Sequence, residues 1–205
     1  MLNKITAGIS AGILITIGGT VYLSCSNKYI GAILFSVALL CICYKGYSLF
    51  TGKVGYIPED PSKNAFSVLL LGLLGNAIGT IVGGLLIRYD LPNVGEVANT
   101  VCLAKLEVAP LMVFIRSVFC GILMYLAVSI FRDNNKNVVG ILFCIPVFIL
   151  CGFEHSIADM FYLSASGIVS IKAFLFILNV IIGNSVGGML LPIVNGCTKW
   201  GNKNA

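Results

Sequence analysis

Charge is scarce in this chain, and most of what builds a soluble surface is missing with it. Asp, Glu, Lys and Arg supply 10% of its 205 residues, against 58% hydrophobic residues and a mean hydropathy of +1.00. A water-soluble globule needs far more polar surface, so the composition leaves an integral membrane protein. Histidine occurs once, and no HExxH sequence is present. A zinc site would lack its usual imidazoles, so neither a metal, a cofactor nor an enzyme is expected. Basic runs with interleaved aromatics are also missing, which argues against nucleic acid as a partner. The net charge of +5 is spread over the loops and suits lipid headgroups. The eight cysteines lie in or beside apolar stretches without CxxC spacing, and read as small buried hydrophobes.

What is present is apolar sequence in long blocks. A helix crossing a hydrocarbon core of about 30 Å needs roughly 20 apolar residues. Six stretches qualify wholly or nearly, at about 5–24, 30–50, 65–87, 108–131, 137–153 and 171–194. The first is long for the apolar core of an export signal, and no small-x-small site follows it into a soluble protein. It reads as a span, and the whole of 1–205 as one transmembrane domain in the lipid bilayer. With both termini inside, Lys4, Lys53, Lys63, Arg132, Lys136, Lys199 and Lys203 are cytoplasmic, against Lys28, Arg88, Lys105 and Lys172 outside. That bias predicts cytoplasmic termini.

The chain echoes itself. Gly-Asn-Ala-Ile-Gly-Thr-Ile-Val-Gly-Gly at 75–84 resembles Gly-Asn-Ser-Val-Gly-Gly at 183–188, which places Asn76 and Asn184 108 residues apart. Further echoes join 11–14 to 120–123 and 31–35 to 140–143 at nearly the same offset. A duplicated unit of three spans has an odd number of crossings, so halves of about 1–100 and 101–205 would be inverted relative to each other. Inverted repeats characterise channels and transporters, with the path near the midplane and often beside broken helices. The expected breaks are Leu-Phe-Thr-Gly at 49–52 after the second span and Phe-Glu-His-Ser at 153–156 after the fifth, with Thr51 and His155 in related positions. Irregular backbone at that depth is tolerated where it lines a cavity. An ionisable pair there, Glu154 and His155, is costly to keep without a function.

Three motifs in this order resemble the formate/nitrite transporter family: Leu-Phe-Thr-Gly at 49–52, Gly-Phe-Glu-His-Ser-Ile-Ala-Asp-Met at 152–160, and Asn179 followed by Gly-Asn-Ser-Val-Gly-Gly at 183–188. The resemblance implies an all-α, aquaporin-like protomer of six spans with broken second and fifth helices, a homopentamer with one pore per subunit, and residence in the plasma membrane. It places the pore histidine on His155, its hydrogen-bonding threonine on Thr51, the lysine ahead of the fourth span on Lys105 and the sixth-helix asparagine on Asn184. The apolar constrictions fall on Phe35 and Leu49 on the outer side, with Leu39 and Phe148 on the inner side. Gly121 and Asp159 stand where the family commonly has asparagine, and the segment at 54–61 leaves little room for a second half-helix.

The function expected is passage of small monovalent weak-acid anions such as formate, nitrite, hydrosulfide or short carboxylates. Lys105 would attract the anion at the outer vestibule, and His155, titrating near neutrality, would give it a proton. A neutral His155 that only hydrogen-bonds Thr51 is the competing role, and a pore for small neutral solutes the competing function. Asp159 is expected to point away from the path. Glu154 reads as a backbone-capping carboxylate, and Lys105 with Glu107 as a possible loop pair.

Overall fold

A computed structural model describes the backbone of residues 1–203 and the side chains of residues 1–196. The expectations for Cys197, Lys199 and Lys203 concern side chains outside the described residues. The chain is all-helical: α1 (Leu2–Ser24), α2 (Lys28–Lys45), α3 (Phe50–Lys53), a single 3-10 turn (Val54–Tyr56), α4 (Lys63–Asp90), α5 (Pro92–Leu106), α6 (Pro110–Asp133), α7 (Val139–Leu150), α8 (Ser156–Ser166) and α9 (Ile171–Lys203).

Local signals start these helices. Asn27 Oδ1 accepts the Tyr29 and Ile30 amides to begin α2, and Ser62 Oγ accepts that of Ala65 to begin α4. Pro92 and Pro110 open α5 and α6, where a missing N–H costs nothing. Among the described residues, five helices are long and apolar enough to cross a membrane: α1, α2, α4, α6 and α9. The fifth expected span is shorter than its sequence suggested. α7 has 12 residues, about 18 Å of rise, and the chain resumes as α8 only after a break.

Helix α5 falls between the third and fourth expected spans, where no helix was expected. Its inward face was nevertheless written in the sequence, because Val94, Gly95, Ala98, Cys102 and Leu106 are buried at helical spacing. Its 15 residues pack on α8 and close over the second break.

The packing repeats between the halves. α1 lies along α4 and α2 along α1, as α6 lies along α9 and α7 along α6, while α2 meets α7 in the middle. Helix α8 then rests on α4, and the 3-10 turn rests on α9. Each half thus lays its broken segment against the other half. Of the described cysteines, Cys102 and Cys120 are buried, whereas Cys25, Cys41, Cys43 and Cys144 are half-buried and Cys151 is exposed. Uniform burial of the cysteines is therefore corrected: most sit on helix flanks that the rest of the chain does not cover.

Candidate functional site

Both breaks are built alike. α2 ends at Gly46 (φ +67°), with Gly46 N–H donating to Cys43 O at 3.3 Å and Tyr47 N–H to Ile42 O at 3.0 Å. α7 ends at Gly152 (φ +67°), with Gly152 N–H donating to Ile149 O at 3.1 Å and Phe153 N–H to Phe148 O at 2.9 Å. This double bond closed by a left-handed glycine is a Schellman stop. Two further residues then run on before helix resumes at Phe50 and at Ser156.

One buried asparagine holds each break. Asn76 Nδ2 donates to Gly8 O (2.9 Å) and Ser48 O (2.8 Å), and its Oδ1 accepts Phe50 N–H (2.9 Å). Asn184 Nδ2 donates to Ser117 O (2.9 Å) and Glu154 O (2.8 Å), and its Oδ1 accepts Ser156 N–H (2.9 Å). Both side chains are fully buried. Backbone polar groups freed by the breaks are thereby paired, as burial demands. The counterpart of His155 is Leu49, not Thr51: each is the extended residue just before its short helix. Aligning Leu-Phe-Thr-Gly at 49–52 with Phe-Glu-His-Ser at 153–156 position by position is what put Thr51 opposite His155, whereas the two glycine stops at 46 and 152 set the register at 106 residues.

Thr51 and His155 nonetheless meet. Thr51 Oγ1 lies 2.8 Å from His155 Nε2, and both residues are buried. Ala158 N–H donates to His155 Nδ1 at 3.1 Å, so the histidine caps α8. An accepting Nδ1 needs a lone pair, which assigns the proton of a neutral ring to Nε2, donating to Thr51. Ser156 Oγ, on the next residue, is buried without a hydrogen-bond partner.

Phe35 meets Phe148 edge-on at 6.4 Å between ring centres, and Phe148 also stacks on His155 at 5.5 Å. Leu39 and Leu49 line one cavity of about 510 Å³, and all four residues named for the constrictions belong to one buried apolar cluster. Lys53, Asp60, Arg132 and Lys136 also line this cavity. Arg132 is engaged there by Glu59 (3.3 Å), by Asp133 (2.8 Å) and by the Tyr56 ring (3.8 Å).

On the other side of the break, Lys105 at the end of α5 donates to Glu154 Oε2 and lies 3.0 Å from Asp159 Oδ1. Glu154 is therefore not a backbone cap: Asn184 holds its carbonyl, and its carboxylate serves Lys105. Nor is Lys105 the partner of Glu107. That carboxylate accepts from Lys172 at 2.7 Å, which holds its pKa below the usual range. Both groups are exposed, so the pair contributes little. A lysine faced by two buried carboxylates is also a poorer lure for anions than the sequence suggested. Among the described residues, no group of three or more His, Cys, Asp or Glu side chains could hold a metal ion. Gly-Ile-Ser-Ala-Gly at 8–12 matches the serine-hydrolase string GxSxG, but it lies inside α1 with Ser10 donating to Thr6 O, and forms no nucleophile elbow.

A family model described as formate/nitrite transporter matches residues 1–197. The chain is 27% identical over 165 residues to the nitrite transporter NirC of Escherichia coli (strain K12), covering 75% of this chain and 61% of that protein. It is 24% identical over 229 residues to the formate-nitrite transporter of Plasmodium ovale, covering 93% and 73%. The chain thus spans about 61% of the length of the nitrite transporters that it matches. Among solved structures, one titled "Pentameric formate channel with formate bound" superimposes with a TM-score of 0.78 at 21% identity, over 100% of this chain and 98% of that one.

Proposed function

The chain belongs to the formate/nitrite transporter family, a family of transporters rather than enzymes, and from that premise we propose that it conducts small monovalent weak-acid anions past His155. Formate, nitrite, hydrosulfide and short carboxylates are the solutes of that chemistry. Six crossings, with α7 and α8 together making the fifth, put both ends on one side, and the lysine and arginine bias makes that side cytoplasmic. The two halves are then inverted copies, and five protomers assemble in the plasma membrane, each with its own path.

The path runs from Lys105, between Phe35 and Phe148, past Thr51 and His155, and then between Leu39 and Leu49 into the cavity near Lys53. Apolar rings penalise a bare anion by several kcal/mol, so the solute passes them as the neutral acid or sheltered by hydrogen bonds. Of the two roles open to His155, the geometry supports neutral hydrogen-bond partner over proton donor. An imidazolium would carry a proton on Nδ1 and lose the bond from Ala158 N–H. A neutral ring donates through Nε2 to Thr51, whose hydroxyl then offers a donor and a spare lone pair to the passing solute.

The observation that carries this reading is the buried Thr51–His155 pair at 2.8 Å, with Phe148 stacked on the imidazole and Phe35 edge-on to Phe148. His155→Asn keeps an acceptor to cap α8 but withdraws the imidazole from Thr51. Uptake of formate, nitrite and hydrosulfide into proteoliposomes is expected to fall about 10-fold or more, the loss of a hydrogen bond worth roughly 1.5 kcal/mol in the path. Uptake unchanged for every anion between about pH 5 and 8 would remove His155 from the path. Passage of urea or glycerol in place of anions would move the protein to the neutral-solute class.

A further inference from the structure

The chain has eight carboxylic acids, of which Glu59, Asp60, Asp90, Glu96, Glu107 and Asp133 are exposed. The two buried ones, Glu154 and Asp159, converge on one lysine. Their side chains are 2% exposed and that of Lys105 is 20% exposed. The two carboxyl groups also bear directly on each other. With both ionised, the cluster would carry one uncompensated negative charge, and the groups around it offer no relief. Cys102 faces it from α5, Cys120 from α6 and Tyr162 from α8, with the neutral His155 beside it. Thr51 on α3 and Asn184 on α9 are uncharged, and Arg88 of α4 lies against Gly167 at the far end of α8.

The start of α8 helps only in part. Asp159 sits in its first turn, where the helix dipole is worth about 0.3–1 kcal/mol to an anion. An unpaired buried charge costs several kcal/mol, so the dipole loses. A second observation agrees: Asp159 Oδ2 is buried without any hydrogen-bond partner, a poor setting for an ionised oxygen but one that admits a proton. Two carboxyls within reach of each other and short of one positive charge share a proton, because like charges so close do not both ionise.

We infer that Glu154 and Asp159 hold one proton between them in the resting protein, which keeps the Lys105 cluster neutral, and that its release creates a fixed negative charge beside the histidine break. The proton's presence is independent of transport. Its consequence rests on the anion path proposed above: the deprotonated cluster repels an anion arriving at Lys105, so uptake falls as pH rises through the release.

The test is infrared spectroscopy of the wild-type protein in liposomes between about pH 6 and 8, where exposed carboxyls with pKa near 4 are ionised. The expected result is a protonated-carboxyl C=O band that shifts in D2O. It is lost in Asp159→Asn and in Glu154→Gln, each of which leaves Lys105 one carboxylate, and kept in Glu107→Gln. The absence of the band in the wild type overturns the inference, as does its survival in either cluster variant. The wild-type spectrum decides even if a variant fails to fold. A wild-type protein with the band but without anion flux would overturn the transport reading and leave the shared proton standing.

Discussion

Asn184→Ala is expected to cost about 2–6 kcal/mol and to prevent recovery of folded protein from mild detergent. The side chain makes three hydrogen bonds at full burial, to Ser117 O, to Glu154 O and from Ser156 N–H. Removing it leaves Glu154 O and Ser156 N–H without partners, each costing about 1–3 kcal/mol in a buried setting, while Ser117 O keeps its bond within α6. Water repairs little of this, since the groups lie where α6, α9 and the break meet. Asn76→Ala is expected to behave in the same way through Ser48 O and Phe50 N–H. Thermal unfolding followed by size-exclusion chromatography reads both variants. A variant that elutes and melts as the wild type would mean that the breaks hold their shape without their asparagines, and the account of the site given above would lose its foundation.

Gly121→Asn, which restores the residue that the family commonly has there, is expected to be as damaging, with Gly121→Ala close behind. A β-carbon at Gly121 would collide with Asn184 O and stand 2.8 Å from Gly188 N. These are backbone atoms of α9 and do not swing aside. Overpacking in a well-filled interior costs about 1–3 kcal/mol when side chains adjust, and more when two helices must part. Gly12 has the same task in the first half, where a β-carbon would stand 2.6 Å from Asn76 O, so Gly12→Ala should fail alongside it. Gly152→Ala is the contrast: nothing lies within 4 Å of its would-be β-carbon, and only its φ of +67° resists. That substitution should cost about 1–2 kcal/mol and leave a protein that still assembles. Comparable recovery of Gly121→Asn and Gly152→Ala would contradict the close approach of α6 and α9.

Much of this site could be read before the coordinates were. Apolar length gave the spans, and the 108-residue spacing of Asn76 and Asn184 singled out two side chains that do the same work. The lone histidine flagged the second break. Where the reading failed, the reason is geometric. Hydropathy measures how greasy a stretch is and not where its helix stops, so the glycines at 46 and 152 had to be seen in their left-handed conformation before α2 and α7 could be cut short. The face of α5 is narrow, and the polar residues around it diluted its average. The partners of Lys105 depend on how α5 folds back over α8, a contact between residues about 50 positions apart that local spacing does not encode. Gly121 looked like a lost polar group, whereas its meaning lies in the backbone of α9 opposite.

The two asparagine knots have one more property. Among the described residues, the side chain of Asn76 ties residues 8, 48 and 50, and that of Asn184 residues 117, 154 and 156. Neither reaches across to the other half. During synthesis the first half can therefore fasten its own loop while the second is still emerging from the ribosome, and what awaits the finished chain is docking of two prepared pieces.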